Sequence, residues 1–186
     1  HCAIVLLLPF SWWTAETARF DLHTLSGYAI LALLVFRIAW GFVGSDTARF
    51  AAFLKSPLEG LRHLAHFRRP PEGVEIGHNA AGGWMVLVLL LAMLAQAASG
   101  LFSDDLILTR GPLARRVGEE WSSFATAIHL RMFWVIVGLA VLHVLAVLAY
   151  RLVRRQDLVK PMLTGSMEVP ARYDGPRPRI GSPVLA

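Results

Sequence analysis

The chain has 186 residues, of which 55% are hydrophobic and 17% charged, and its formal net charge is +5. Soluble domains usually carry about 25% charged residues, and the mean hydropathy of +0.53 also favours a membrane protein over a soluble one. The basic residues lie mainly in loops and tails, where they set topology, so their excess does not predict nucleic acid as a partner.

Four apolar stretches follow one another along the chain and predict an all-α integral membrane protein, a four-transmembrane-helix bundle. They are Cys2–Trp13, Leu22–Val43, Gly82–Phe102 and Phe124–Tyr150. A span needs about 20 residues, which the last three stretches supply. The first is short and opens on His1, so we expect this helix to begin upstream of the given sequence. A cleaved signal peptide is the alternative, but neither a basic n-region nor a small-x-small cleavage pattern is visible.

The distribution of basic residues predicts the orientation in the bilayer. Residues 44–81 and the tail from Arg151 together hold 12 Lys and Arg, whereas the connections on the other side hold 4. The positive-inside rule therefore places the middle connection and both termini in the cytoplasm. We expect residues 1–165 to form one domain and residues 166–186 to be a flexible cytoplasmic tail. The single cysteine, Cys2, excludes an internal disulfide and a cysteine-based metal site.

Histidines within the spans are the first candidate functional residues, because ionisable groups at membrane depth are costly. His129 and His143 lie 14 residues apart in the fourth span, so they share one helix face and are separated by roughly 21 Å along the axis. His23 opens the second span at the depth of His129, and His1 opens the first at the depth of His143. The spacing predicts an outer pair, His23 with His129, and an inner pair, His1 with His143.

Two histidines that face each other across a helical bundle can hold a haem iron between them. Zinc typically takes four ligands, and no Cys, Asp or Glu is at hand to complete such a site. Gly27 lies four residues after His23, so the next turn of that helix face has no side chain. A porphyrin could lie flat there, and close helix packing through a small residue is the alternative.

Two arginines lie within the spans and are candidate partners of anionic haem propionates, since the guanidinium group pairs well with carboxylates. Arg37 lies at the depth of His143, and we expect it to act as a counter-charge at the inner site. Arg131 lies two residues after His129, near the outer site. Snorkelling of Arg131 to the membrane interface is the alternative.

The remaining polar residues have other interpretations. His78 precedes the third span, where it would cap the helix or contact a propionate or a quinone. Gln96, inside the third span, is expected to form an interhelical hydrogen bond. His63 and His66 have helical spacing in the basic connection, which favours a solvated loop helix over a site.

Several short segments carry a family resemblance. They are Leu22-His23, Gly27-Tyr28, Phe36-Arg37, Trp40 to Gly44, Gly77-His78-Asn79, Gly82-Gly83, Gly100-Leu101-Phe102, Asp104-Asp105, Ile128-His129, Leu142-His143, Leu158-Val159-Lys160 and Met162 to Gly165. Together they resemble the bacterial cytochrome b561 family, in the branch that includes the b-type cytochrome subunit of nickel–iron hydrogenases. The resemblance extends from His1 to about Gly165.

The resemblance implies a four-helix bundle with two haems b, whose ligands come from the first, second and fourth helices. His1, His23, His129 and His143 occupy those positions. The family usually shows His-Trp at the ligand of the first helix, whereas this chain has Cys2 after His1.

The resemblance also implies a function in the bacterial inner membrane: electron relay between the quinone pool and a partner redox protein. That partner would be a nickel–iron hydrogenase, a c-type cytochrome or another dehydrogenase, and quinone reductase or quinol oxidase activity is left open. Proximity favours a quinone pocket near Arg37, His78 or Lys160. A small transporter or proton pathway that uses His and Arg, and a membrane anchor with structural histidines, are the alternatives.

Overall fold

The computed structural model describes residues 1–67, 77, 79–105 and 109–164. Its helices are α1 (Cys2–Glu16), α2 (Phe20–Val43), α3 (Phe50–Phe53), α4 (Pro57–Ala65), α5 (Ala80–Phe102), α6 (Glu119–Val153) and α7 (Val159–Thr164). A 3₁₀ turn covers Ala114–Arg116. No strand forms within the described ranges, where Asp104 and Arg110 make an isolated antiparallel bridge. The predicted all-α class is confirmed for these residues.

Among the described residues, three helices are long and apolar enough to cross a membrane: α2, α5 and α6, with 24, 23 and 35 residues. Since a bilayer core about 30 Å thick needs about 20 helical residues, α1 is shorter than one span at 15 residues. The membrane-spanning character predicted from the sequence is supported by the length and composition of the three long helices. The count of four spans and the cytoplasmic position of the termini stay predictions.

Helix α6 is longer than its apolar stretch. The helix covers residues 119–153, whereas the hydropathy pattern predicts a span over 124–150. Its first turn holds Glu119 and Glu120, and its last turn holds Arg151. Charges of these signs at these ends interact favourably with the helix dipole, by about 0.3–1 kcal/mol each. The helix measures about 52 Å at 1.5 Å per residue, so its charged ends can extend beyond the hydrocarbon core.

Large apolar side chains lie on the outside of the helices and small polar ones lie inside, as a lipid environment requires. Large apolar residues of α6, such as Leu130, Trp134 and Leu145, are exposed, and only 6% of its most apolar 18 residues are buried. In the described part of the chain, the buried polar residues are small hydroxyls: Ser11, Thr14, Ser26, Ser99 and Ser122. Small side chains let helices approach closely, and their hydroxyls can bond to helix carbonyls, so they suit the inside of a membrane bundle.

The chain divides into two compact units. The first comprises His1–Val35 and Leu89–Val141, and the second comprises Phe36–Val88 and Leu142–Ala186. Within the first unit, α1 contacts α6 through the stacked rings of Trp12 and Phe133, whose centroids are 6.2 Å apart. The single domain over residues 1–165 stays a prediction. The tail predicted at 166–186 lies outside the described residues.

Within the second unit, a hydrogen-bond network centred on Tyr150 joins α4, α6 and the start of α5. Asn79 Oδ1 accepts the Gly82 N–H at 2.7 Å and so caps α5. The Asn79 amide nitrogen therefore donates to the Tyr150 hydroxyl, at 2.8 Å. The hydroxyl also forms a hydrogen bond with His63 Nε2, at 2.5 Å. The predicted loop helix at His63 is confirmed by α4, but the spacing did not predict that His63 bonds to a buried tyrosine.

We expect Tyr150→Phe to destabilise the second unit, because it removes the one oxygen that Asn79 and His63 both contact. A hydrogen bond of this kind contributes about 0.5–1.5 kcal/mol to stability. Hydrogen exchange of residues 57–67 in detergent micelles should accelerate accordingly. Tyr28→Phe is the matched control, since Tyr28 is 42% exposed. Equal exchange in both variants would show that the network does not hold α4.

Candidate metal centre

His23 and His129, predicted as a pair, lie together in the first unit. Their ring centroids are 6.0 Å apart, and the ring planes are nearly perpendicular, at 89°. His23 lies in the first turn of α2, and His129 lies in α6. Both side chains are half-buried. The structure thus brings together the two histidines that the depth argument paired, and their role as ligands stays a prediction.

A main-chain carbonyl holds the Nδ1 atom of each ring. His23 Nδ1 lies 2.9 Å from the carbonyl oxygen of Ser11 on α1, and His129 Nδ1 lies 2.9 Å from that of Gln96 on α5. A carbonyl only accepts, so each Nδ1 carries the hydrogen and donates it. A neutral imidazole has a single N–H. Both Nε2 atoms therefore carry lone pairs, which is the state a metal ligand requires.

The two accepting carbonyls share a second feature. Thr14 donates its hydroxyl to the Ser11 oxygen at 2.8 Å, and Ser99 donates its hydroxyl to the Gln96 oxygen at 3.0 Å. Thr14 is fully buried, and Ser99 is 8% exposed. A hydroxyl three residues further along the helix thus helps to fix each carbonyl that orients a histidine. The sequence signal, a Ser or Thr at i+3, is too common to have identified them.

Gln96 also contacts His129 through its side chain, since the amide nitrogen lies 3.3 Å from His129 Nε2. The interhelical hydrogen bond predicted for Gln96 is therefore confirmed. Within the described residues, Gln96 Oε1 is buried and has no hydrogen-bond partner. A buried polar atom left unsatisfied costs about 1–3 kcal/mol.

Two glycines shape the space around the pair. A Cβ at Gly100 would lie 2.9 Å from His129 Cε1 and 3.1 Å from its Nδ1, so the ring rests against this glycine. A Cβ at Gly27 would meet no atom within 4 Å. Of the two interpretations of Gly27, close helix packing is therefore wrong for the described residues, and an open surface beside His23 is what the structure has. Sequence reasoning missed Gly100 as a site residue.

The other predicted histidines are not brought into this pair. His143 is half-buried in the second unit, and His1 is exposed in the first unit. His1 precedes α1, where its carbonyl accepts the Val5 N–H at 3.1 Å. His78 lies outside the described residues.

The two intramembrane arginines differ in surroundings. Arg37 is half-buried in the second unit, and its Nη1 donates to the Ala48 carbonyl at 3.3 Å. Its guanidinium carbon also lies 5.5 Å from the centre of the Phe50 ring and 6.0 Å from that of Phe53. Arg131 is exposed on α6. The sequence did not predict that Arg37 anchors the segment that follows α2.

The fold and the site define a helical membrane protein with two neighbouring imidazoles, each of which has its Nδ1 hydrogen bonded to a main-chain carbonyl. The chain belongs to the prokaryotic cytochrome b561 family, whose model matches residues 2–165. This family comprises bacterial membrane b-type cytochromes that bind haem b and act in electron transfer. Comparisons with curated proteins and with solved structures gave no match.

The residues at the His23–His129 pair fit a haem. An imidazole nitrogen binds a metal at about 2 Å and the ring centre lies about 1 Å further, so two axial imidazoles would have centres roughly 6 Å apart. The observed separation is 6.0 Å. Within the described residues no group of three or more His, Cys, Asp and Glu could hold a metal ion. Two imidazoles beside an open glycine surface therefore suit an iron whose other four ligands come from a porphyrin.

We expect Gly100→Ala to displace the His129 ring, because the new methyl group would lie well inside van der Waals contact with it. Haem content per chain, measured by the pyridine haemochrome method, should fall. Gly118→Ala is the control, since a Cβ at Gly118 meets no atom within 4 Å. If the Gly100→Ala variant kept the haem content of the wild type, the position of the His129 ring against Gly100 would not matter for haem binding.

Proposed function

We propose that this chain is a di-haem b-type cytochrome that relays electrons between the quinone pool and a partner redox protein. The observation that carries the proposal is the His23–His129 pair, with ring centroids 6.0 Å apart and both Nδ1 atoms bonded to carbonyls. His1 and His143 are proposed as the second pair of axial ligands. The 14-residue spacing between His129 and His143 within one helix supports two sites at different depths.

The protein's own contribution is orientation. The carbonyls of Ser11 and Gln96 hold the two rings by their Nδ1 hydrogens, which fixes the Nε2 direction and makes the ligands more basic. If two histidines held the iron of a haem, they would leave no open position for oxygen, which would favour electron relay over oxygen chemistry. A bound haem supplies the one-electron redox change of its iron.

The arginines are proposed as counter-charges to propionates. Arg37 would act at the inner site, where its guanidinium offers five N–H donors and the Ala48 carbonyl takes one of them. Arg131 would act at the outer site. His78, at the inner membrane surface, is proposed to contact a propionate or a quinone, and a quinone pocket would lie near Arg37, His78 or Lys160.

The proposed location and partner are based on the charge distribution and the resemblance. The 12 basic residues in the middle connection and tail support cytoplasmic termini in a bacterial inner membrane. The resemblance to hydrogenase cytochrome subunits favours a nickel–iron hydrogenase, with a c-type cytochrome or another dehydrogenase as alternatives. Charged residues around the 101–123 connection would suit docking of that partner, including Asp104 paired with Arg110, Arg115 and Glu119. The chain would then be the electron-transfer subunit of a respiratory oxidoreductase.

A proton pathway through the membrane histidines is less well supported. Both Nδ1 hydrogens of the His23–His129 pair are bonded to main-chain carbonyls, and a carbonyl cannot pass a proton onward. The described spans also hold no chain of acidic residues.

Histidine replacements test the proposal. We expect two haems per chain in the purified wild type, and one in His23→Ala, His129→Ala or His143→Ala, because each removes one axial ligand. Reduced-minus-oxidised spectra with haem quantitation give the count. His66→Ala is the control, since His66 is exposed and bonds only locally, to the Arg62 carbonyl at 2.9 Å. A wild type without haem would refute the function, and one haem in the wild type would remove one of the pairs.

The open surface at Gly27 gives a separate test. We expect Gly27→Leu to lower haem content while the helical structure is kept, because no described atom outside the surrounding helix turns lies within 4 Å of the new Cβ. Gly138→Leu is the matched control. Gly138 is exposed and equally open. It lies nine residues after His129 in α6, so it faces the opposite side of the helix. Equal haem content in the two variants would show that no porphyrin covers Gly27.

A further inference from the structure

Gln96 contacts both ring nitrogens of one proposed ligand. Its main-chain carbonyl accepts the Nδ1 hydrogen of His129 at 2.9 Å, and its side-chain amide nitrogen lies 3.3 Å from Nε2 of the same ring. Because the single imidazole hydrogen is on Nδ1, the Nε2 atom can only accept. The amide therefore presents its N–H group to the lone pair that an iron would use.

The other end of this amide is not satisfied by the protein. Oε1 of Gln96 is buried and lacks a hydrogen-bond partner within the described part of the chain. The opposite orientation of the amide would not satisfy its oxygen either, because the oxygen would then face the Nε2 lone pair, which cannot donate a hydrogen. Buried polar groups without partners are uncommon in folded proteins. An unsatisfied group next to a ligating nitrogen therefore points to a role at the cofactor site.

We propose that Gln96 is a positioning residue for the haem at the His23–His129 pair. Its side chain keeps a hydrogen off His129 Nε2 and holds that lone pair toward the site, and then yields the nitrogen to the iron. This inference rests on the proposed function, since it requires a haem at this pair. It assigns to Gln96 a role beyond the interhelical contact, because the side-chain N–H reinforces the tautomer that the Nδ1–carbonyl bond sets and so keeps Nε2 free of hydrogen.

The test compares Gln96→Glu with Gln96→Leu by haem transfer to apomyoglobin, followed in the Soret band. An ionised carboxylate only accepts, so glutamate favours a hydrogen on His129 Nε2, where iron must bind. We expect the haem of this site to be held about ten- to a hundredfold more weakly. Leucine removes the positioning contact but leaves the carbonyl bond to Nδ1, so its loss should stay within about tenfold. Gln156→Glu is the control, because Gln156 lies after α6 and outside the spans.

A packing role predicts the reverse order, because glutamate has nearly the shape of glutamine and leucine does not. The inference is overturned if the glutamate variant holds haem as tightly as the leucine variant or more tightly. It is also overturned if Gln96→Leu and Gln96→Ala both lose this haem completely while circular dichroism shows intact helices. A wild type without haem refutes the proposed function itself, so the two failures are distinguishable.

Discussion

The site depends on how two imidazole N–H groups are satisfied inside a membrane protein. Lipid offers no hydrogen-bond partner, so a buried N–H must bond to protein. The carbonyls of Ser11 and Gln96 meet this need at 2.9 Å for His23 and His129. Because each Nδ1 atom donates its hydrogen to a carbonyl, the Nε2 atoms are the only nitrogens of these two rings with lone pairs. The direction of both potential metal ligands therefore follows from the positions of α1 and α5.

Main-chain carbonyls can do this only if helices approach closely, and small residues make that approach possible. Gly100 leaves room for the His129 ring on α5, one turn after Gln96. Thr14 and Ser99 are small, buried and bonded to the two accepting carbonyls. The same residues thus shorten the distance between helices and orient the acceptors. Larger side chains at these positions would separate the rings from the carbonyls that hold them.

Hydropathy and helical periodicity predicted much of this structure. A lipid bilayer requires long apolar helices, and the regular rise of an α-helix relates the position of a residue in the sequence to its depth. The spans α2, α5 and α6 and the His23–His129 pairing follow from those two rules. The carbonyl of Ser11 does not, because every residue carries a carbonyl and only the packed fold selects one. The contact between His63 and Tyr150, which are 87 residues apart in the chain, likewise depends on where α4 docks.

Arg37 shows what depth alone leaves undetermined. A charged side chain within a span is costly unless it is paired, and the depth of Arg37 predicted a propionate as its partner. Its described protein contacts are the Ala48 carbonyl and the faces of Phe50 and Phe53. A neutral carbonyl and two cation–π contacts offset part of the cost of the charge, but none of them carries a negative charge. The guanidinium fork retains the geometry to pair with a carboxylate, so anchoring the segment after α2 and balancing a propionate are compatible roles for one arginine.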